Sequence, residues 1–166
     1  SAGPGHTNTI TAVANALAAE APVLWLSGGS DRALDGKGAF QEMDQVGLAA
    51  PVCKAAWRAE SVADLPALLA RAWRTLLEGR PGPVHLTLPA DLLGTRGPST
   101  EYGVRSSEWA PAAWAAEPAA VQEALARLAR AARPLMLVGP AATRGQAGRT
   151  LAALSARTGI PWLPIA

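Results

Sequence analysis

The sequence predicts an α/β fold: parallel-sheet, three-layer α/β/α units, as two partial domains joined by a linker. Three observations predict it. Segments with apolar residues at helical spacing alternate with short continuous apolar runs. The runs lack polar alternation, which suits parallel strands covered on both faces. A stretch rich in Gly and Pro then interrupts the pattern, and helix and strand resume after it. The boundaries this gives are a first domain over 1–92, a linker over 93–116 and a second domain over 117–166.

Each element follows from local chemistry. Ile10, Val13, Ala14, Leu17 and Ala18 share one helical face after Gly3-Pro4-Gly5, and Pro22 stops the helix. Val23–Leu26 reads as a strand, broken by Gly28-Gly29-Ser30-Asp31. Residues 33–53 are mixed and Gly-punctuated, with a short helix predicted around Phe40–Val46, and Lys54–Arg58 reads as a short strand. Asp64 is the preferred N-cap of the clearest helix, since it puts Pro66 in the first turn. Leu65, Leu68, Leu69, Ala72, Leu76 and Leu77 form its stripe, and Gly79 is the expected residue just past its end. Pro83–Pro89 is a strand by its β-branched and apolar content. In the second unit Pro118 opens a helix with Val121, Leu125 and Leu128 as its stripe. Leu135–Gly139 is a strand, Gln146–Arg157 a helix ended by Thr158-Gly159, and Ile160–Leu163 the start of another strand.

Composition narrows the function classes. The chain has 166 residues, of which 49 % are apolar and 17 % charged, so it can bury a core and is not disordered. A net charge of +2 without a Lys/Arg block gives no basis for nucleic-acid binding. No apolar run is long enough for a membrane helix. The single cysteine, Cys53, excludes an internal disulfide and a multi-cysteine metal site. A cytoplasmic protein is the default expectation. The chain opens Ser1-Ala2-Gly3-Pro4-Gly5 and stops inside a strand, so both ends read as cut.

No self-contained catalytic set is legible. The histidines are His6 and His85, and no G-x-S-x-G, Walker A, G-x-G-x-x-G or Cys/His metal pattern occurs. Lys54 and Arg58 read as surface charges, His85 as a core or edge histidine, Cys53 as a small buried hydrophobe and the tryptophans as core or interface filler.

The motifs taken in order go further. Ser1-Ala2-Gly3-Pro4-Gly5-His6-Thr7-Asn8 resembles the S/A-G-P-G-x-T-N segment of thiamine-diphosphate (ThDP) enzymes of the acetolactate synthase type. The resemblance continues through Gly38-Ala39-Phe40-Gln41-Glu42, Asp44, Lys54 and Asp64-Leu65-Pro66. It runs on through Gly79–Val84 and Leu88-Pro89-Ala90-Asp91, and then to Arg133-Pro134, Val138-Gly139 and Gly159-Ile160-Pro161. Each motif is weak alone, whereas the ordered series is specific.

The resemblance implies the C-terminal half of a pyrimidine-binding domain followed by the start of a central domain. It implies a parent that decarboxylates a 2-oxo acid and transfers the carbanion, with ThDP and Mg²⁺ as cofactors, and a homodimer or homotetramer. Pro4, Asn8 and Gln41 would line the aminopyrimidine pocket. Asn and Gln amides present donor and acceptor together to ring nitrogens, and glycine lets backbone approach a flat ring. The family's catalytic Glu lies upstream of Ser1, and its diphosphate site follows a Gly-Asp-Gly that this chain does not contain. No catalytic residue and no metal ligand is therefore assigned here, Asp44 and Asp91 included, and the isolated chain is expected to be inactive.

Two departures concern the subfamily. Ala90 stands where acetolactate synthases usually carry Lys. Val138-Gly139-Pro140-Ala141 keeps one glycine of the flavin-holding turn, which leaves FAD doubtful, so that Arg80 would cap the helix ending at Glu78 instead. Gly29–Ala33, Ala49–Pro51 and Lys54–Arg58 look like oxalyl-CoA decarboxylases and 2-hydroxyacyl-CoA lyases, so the substrate is a 2-oxo acid or an acyl-CoA. The reading from another class is a non-catalytic α/β binding or assembly module. His6 has two readings: it faces the cofactor cleft, or it points to solvent or an interface at a helix start.

Overall fold

A computed structural model of the chain describes residues 2–97 and 115–165. The molecule divides into two compact units after residue 111. The first begins with a single turn, α1 (Pro4–Thr7), and α2 (Ile10–Ala18), then β1 (Leu24–Gly29). A 3₁₀ turn at Arg32–Leu34 leads to α3 (Gln45–Ala49), a second 3₁₀ turn and β2 (Ala55–Arg58). The unit continues with α4 (Leu65–Leu77), β3 (Val84–Pro89) and the short α5 (Ala90–Leu93).

The three strands are parallel in the order β1-β3-β2. Leu24 pairs with Val84, and Ala55 with Val84 on the other side. The last strand of this unit is thus the central one, and it is buried almost throughout. Alternation along the strands splits the core in two. Trp25 and Ala56 face α2 and α3, where Val13 and Ala49 pack. Leu24, Ala55, Trp57 and Val84 face the other way, onto Ala72 and Leu76 of α4. Helices on both faces give the three-layer α/β/α unit that the sequence predicts. Each fully buried Leu or Val contributes about 1.5–3 kcal/mol.

Several local expectations hold and several shift. Asp64 does cap α4 in position, but its side chain accepts from Ser61 Oγ rather than from a helix amide. Gly79 has φ +60, the left-handed conformation that ends the helix without a Cβ penalty. The short helix expected around Phe40–Val46 lies instead at Gln45–Ala49. Asp44 starts it by accepting the Gly47 amide at 2.8 Å, and Gln41, at φ +61, cannot be helical. β1 runs on through Gly28-Gly29, read in sequence as its break, because both glycines stay in register with Leu88 and Pro89. Leu26 on that strand is 48 % exposed, so β1 is not covered on both faces. Residues 90–93 are helical, with Leu92 buried, a turn that the sequence reading assigns to no element. Most of the predicted linker, with Trp109 and Trp114, lies outside the described residues.

The second unit holds α6 (Pro118–Arg130), β4 (Met136–Val138), a 3₁₀ turn, α7 (Gly145–Thr158) and β5 (Trp162–Pro164). Pro118 stands in the first turn, as expected of a residue that lacks an N–H. β4 and β5 pair in parallel, Met136 opposite Trp162, with α7 as the crossover. Val138 and Ile160 are its buried apolar residues among those described.

Candidate functional site

A cleft of about 460 Å³ opens at the carboxyl ends of the strands of the first unit. That is where open parallel sheets place their sites, because each strand ends there in a loop free to carry side chains. Gly29 ends β1 and Ser30 follows it, Arg58 ends β2 and Thr87 lies near the end of β3. The segment Gln41–Val46 forms the facing wall.

Several residues at the cleft and beside it are held by specific contacts. Gln45, the first residue of α3, is buried. Its amide nitrogen donates to Gly28 O at 2.8 Å, and its oxygen accepts from Thr87 Oγ1 at 3.1 Å. One amide therefore ties the ends of β1 and β3 to the cleft wall. Arg58 makes two hydrogen bonds to Asp35, at 2.7 and 2.9 Å, and the guanidinium holds the Asp35 carboxyl below its ordinary value. Arg32 pairs with Asp91 in another way: Nε and Nη2 both reach Oδ2, at 2.7 Å, its backbone N–H donates to Oδ1 at 3.2 Å, and Nη1 donates to the carbonyl of Glu60. The Asp91 carboxyl is lowered by the side-chain hydrogen bond from Arg32. Glu42 accepts the amides of Gly36, Gly38 and Ala39, which lowers its carboxyl and shapes the loop before the cleft.

The predicted site residues are distributed unevenly. Gln41 lines the cleft with an exposed side chain. Gly3 is buried against it: a Cβ built on Gly3 would lie 2.5 Å from Gln41 Cβ. The Gly-Pro-Gly turn and the Phe-Gln-Glu segment, far apart in sequence, thus meet in space. Pro4 is exposed at the start of α1, next to that contact. Asn8 caps α1, with its backbone N–H directed to the Pro4 and His6 carbonyls and its side chain exposed. Neither Pro4 nor Asn8 lines the cleft.

Other sequence readings are corrected. His6 faces neither cleft nor solvent. It is 1 % exposed, stacks on Trp25 at 4.3 Å and bonds Ser27 Oγ through Nδ1 at 3.0 Å. Burial lowers its basicity. His85 is a core histidine, as expected, bonded to the same hydroxyl through Nε2 at 3.1 Å. Arg58 is a cleft residue rather than a free surface charge. Lys54 is no surface charge either: its Nζ donates to the carbonyls of Thr75 and Glu78 and so caps the C-terminus of α4. Arg80 does not cap that helix but pairs with the buried Glu20 at 3.1 Å. Cys53 is half-buried beside Val13 and Trp25, and burial pushes its thiol up to about 11. Asp35 and Gln45 were missed by the sequence reading. The runs Gly29–Ala33 and Lys54–Arg58, resembling the acyl-CoA enzymes, and the segment Phe40–Glu42 with Asp44 were the sequence signals that fall on this edge.

The donor set fits one end of ThDP. The amide of Gln41, beside a turn with no Cβ, suits a flat heteroaromatic ring with donor and acceptor edges. The cleft does not suit a diphosphate: Asp35, Glu42 and Asp44 stand against Arg58, which is already engaged by Asp35. No group of three or more His, Cys, Asp or Glu able to hold a metal occurs among the described residues. No helix among them is long and apolar enough to cross a membrane.

Comparison with known proteins bears on the family. Residues 1–48 match the family model "Thiamine pyrophosphate enzyme, N-terminal TPP binding domain". Oxalyl-CoA decarboxylase of Escherichia coli (strain K12) is 38 % identical over 167 residues, which is 98 % of this chain and 29 % of that protein. Acetolactate synthase of Arthrospira platensis is 32 % identical, over 96 % of this chain and 28 % of its own length. Human 2-hydroxyacyl-CoA lyase 2 is 44 % identical over 92 residues, covering 55 % of this chain and 15 % of that protein. The chain thus spans less than a third of the length of these relatives. With the motif series, the fold and these matches in agreement, the chain belongs to the thiamine-diphosphate-dependent enzymes, in the acetolactate synthase-like family.

Proposed function

We propose that this chain supplies the pyrimidine-binding edge of a ThDP-dependent carbon–carbon lyase or decarboxylase acting on an acyl-CoA substrate. The observation that carries the cofactor reading is the contact of Gly3 with Gln41, which joins two motif segments at the carboxyl edge of the sheet. Gln41 pairs its amide with the ring, Pro4 limits the ring's edge, and Asn8 closes the turn behind it. ThDP, when bound, supplies a carbon nucleophile that adds to the substrate carbonyl and stores the electron pair left by the departing group. Gly3 permits the approach of backbone to the ring, and Gln41 orients it. The diphosphate with its Mg²⁺ is held by residues outside those described, and the ring is shared with the second subunit of a homodimer.

The acyl-CoA class is supported by degree of likeness. Over alignments of equal length, identity is 38 % to oxalyl-CoA decarboxylase and 32 % to acetolactate synthase. A second reading, carboligation of 2-oxo acids, is supported by Phe40-Gln41-Glu42 and Gly3-Pro4-Gly5, which keep the acetolactate synthase pattern. The 166 residues alone are expected not to turn over.

The test gives the full-length protein ThDP, Mg²⁺ and, in turn, oxalyl-CoA, a 2-hydroxyacyl-CoA and pyruvate. Carbon dioxide from the first or aldehyde from the second is the expected result. Acetolactate from pyruvate with both thioesters untouched replaces it by the second reading. No ThDP binding by calorimetry overturns both.

A further inference from the structure

We propose that His6 is a positioning residue for the cofactor-binding turn, anchored to the sheet through the Ser27 hydroxyl that it shares with His85. The inference rests on the reading of Gly3 and Gln41 given above and names what holds them together.

The turn cannot hold itself. α1 is one turn long, its N-cap Gly3 makes no side-chain bond, and a single helical turn is far below the length that is stable alone. His6 is its one buried residue. The amides of His6 and Thr7 both donate to Gly3 O, at 2.9 and 3.2 Å. The position of the Gly3 backbone therefore follows the position of His6. That backbone in turn sets the distance to Gln41.

The hold on His6 has a definite direction. Ser27 Oγ lies 3.0 Å from His6 Nδ1 and 3.1 Å from His85 Nε2. A hydroxyl with one proton donates to one ring and accepts from the other. With both rings neutral, one bonded nitrogen carries the proton and the other does not. The outer nitrogens, His6 Nε2 and His85 Nδ1, are buried and have no partner among the described residues. The hydrogen bonding of the His6 ring thus passes through one hydroxyl. Stacking on Trp25, at 15° between planes, fixes the ring plane but allows it to slide. Filling space would need only an apolar ring here. The bond to Ser27 is what the imidazole makes here and a phenyl ring could not.

Amide isosteres separate positioning from filling. An Asn amide reaches the place of Nδ1 and a Gln amide the place of Nε2. His6→Asn should keep the bond to Ser27, and His6→Gln should lose it. At His85 the order reverses, because Nε2 makes the bond there. The experiment measures the Kd of ThDP with Mg²⁺ for the full-length protein and its variants. It also measures amide exchange at Thr7 against the α4 amide of Leu68, which donates to Asp64 O. Losing the bond is worth a factor of roughly 5–10 in each readout, for a net hydrogen bond of about 1 kcal/mol. His6→Gln and Ser27→Ala should show it, with Leu68 exchange unchanged and His6→Asn near wild type. Ser27→Ala removes only a hydroxyl and keeps the test open if a histidine variant does not fold. Wild-type Kd and wild-type Thr7 exchange in Ser27→Ala would overturn the proposal. So would equal behaviour of His6→Asn and His6→Gln. Absence of ThDP binding by the wild type would overturn the cofactor reading, and this proposal with it, whereas wild-type binding with silent variants would overturn the positioning role alone.

Discussion

Gly3 lies against Gln41 with no room for a single further carbon: a Cβ there would stand 2.5 Å from Gln41 Cβ and 2.9 Å from its Cγ. Gly3 also has φ +54 and ψ −121, a region open to glycine alone. Gly3→Ala therefore meets both a steric clash and backbone strain. Unfolding in urea should show a loss of about 1–3 kcal/mol, the usual cost of such strain, and ThDP binding should weaken with it. A variant of unchanged stability would show that the turn can move away from Gln41 at no cost.

Gln41 separates affinity from stability. It is itself in the left-handed region, at φ +61, and its side chain is exposed. Gln41→Gly removes the amide and relieves the backbone at once. Stability should hold or rise by up to about 1 kcal/mol. ThDP affinity of the full-length protein should fall roughly 5- to 100-fold, for about 1–3 kcal/mol of unpaired ring groups. Calorimetric titration reads the second effect and urea unfolding the first.

The Arg58–Asp35 pair titrates in a predictable direction. The guanidinium holds the Asp35 carboxyl below its ordinary value. The stability it contributes is present above the unfolded carboxyl's pKa and is lost as pH falls through the lower folded value. Arg58→Gln should raise the Asp35 midpoint toward the ordinary carboxylate range, followed by carboxyl ¹³C shifts. An unmoved midpoint would mean that the pair does not form in solution.

His85 acts in the same direction on acidification, but in a higher pH window. Burial, and then the neighbouring His6, push its ring down from 6.5 to about 4. Between these values the unfolded chain binds a proton that the folded chain refuses. Stability therefore falls as pH drops from about 6.5 to about 4, by on the order of 3 kcal/mol at about 1.4 kcal/mol per pH unit. His85→Gln keeps an amide at the Nε2 position and cannot titrate. Urea unfolding across that window should be markedly flatter in the variant.

Much of the fold was legible because it is written in local chemistry. The stripe Leu65 to Leu77, Pro66 in the first turn and Gly79 past the end locate α4 without knowledge of anything it touches. The run Val84–Leu88 announces a strand by composition. The Gly-Pro-Gly and Phe-Gln-Glu segments were legible as motifs, and Gln41 does line the cleft. Residues 40–46 were misread because their conformation is set by contacts made elsewhere: Glu42 gathering three amides, Gln41 held at positive φ.

The sequence by itself determined the α/β class, the order of elements and the family, since periodicity, caps and ordered motifs are properties of neighbours along the chain. Tertiary structure alone decided that β3 enters between β1 and β2, which buries His85 at the centre of the sheet. It alone decided that His6 turns inward to Ser27, that Lys54 caps a helix, and that Arg58 spends its charge on Asp35 rather than on solvent. A charged or polar side chain carries no mark of its partner in its own neighbourhood. The partner is supplied by the pairing of strands distant in sequence, and only the folded sheet brings the two within reach of a hydrogen bond.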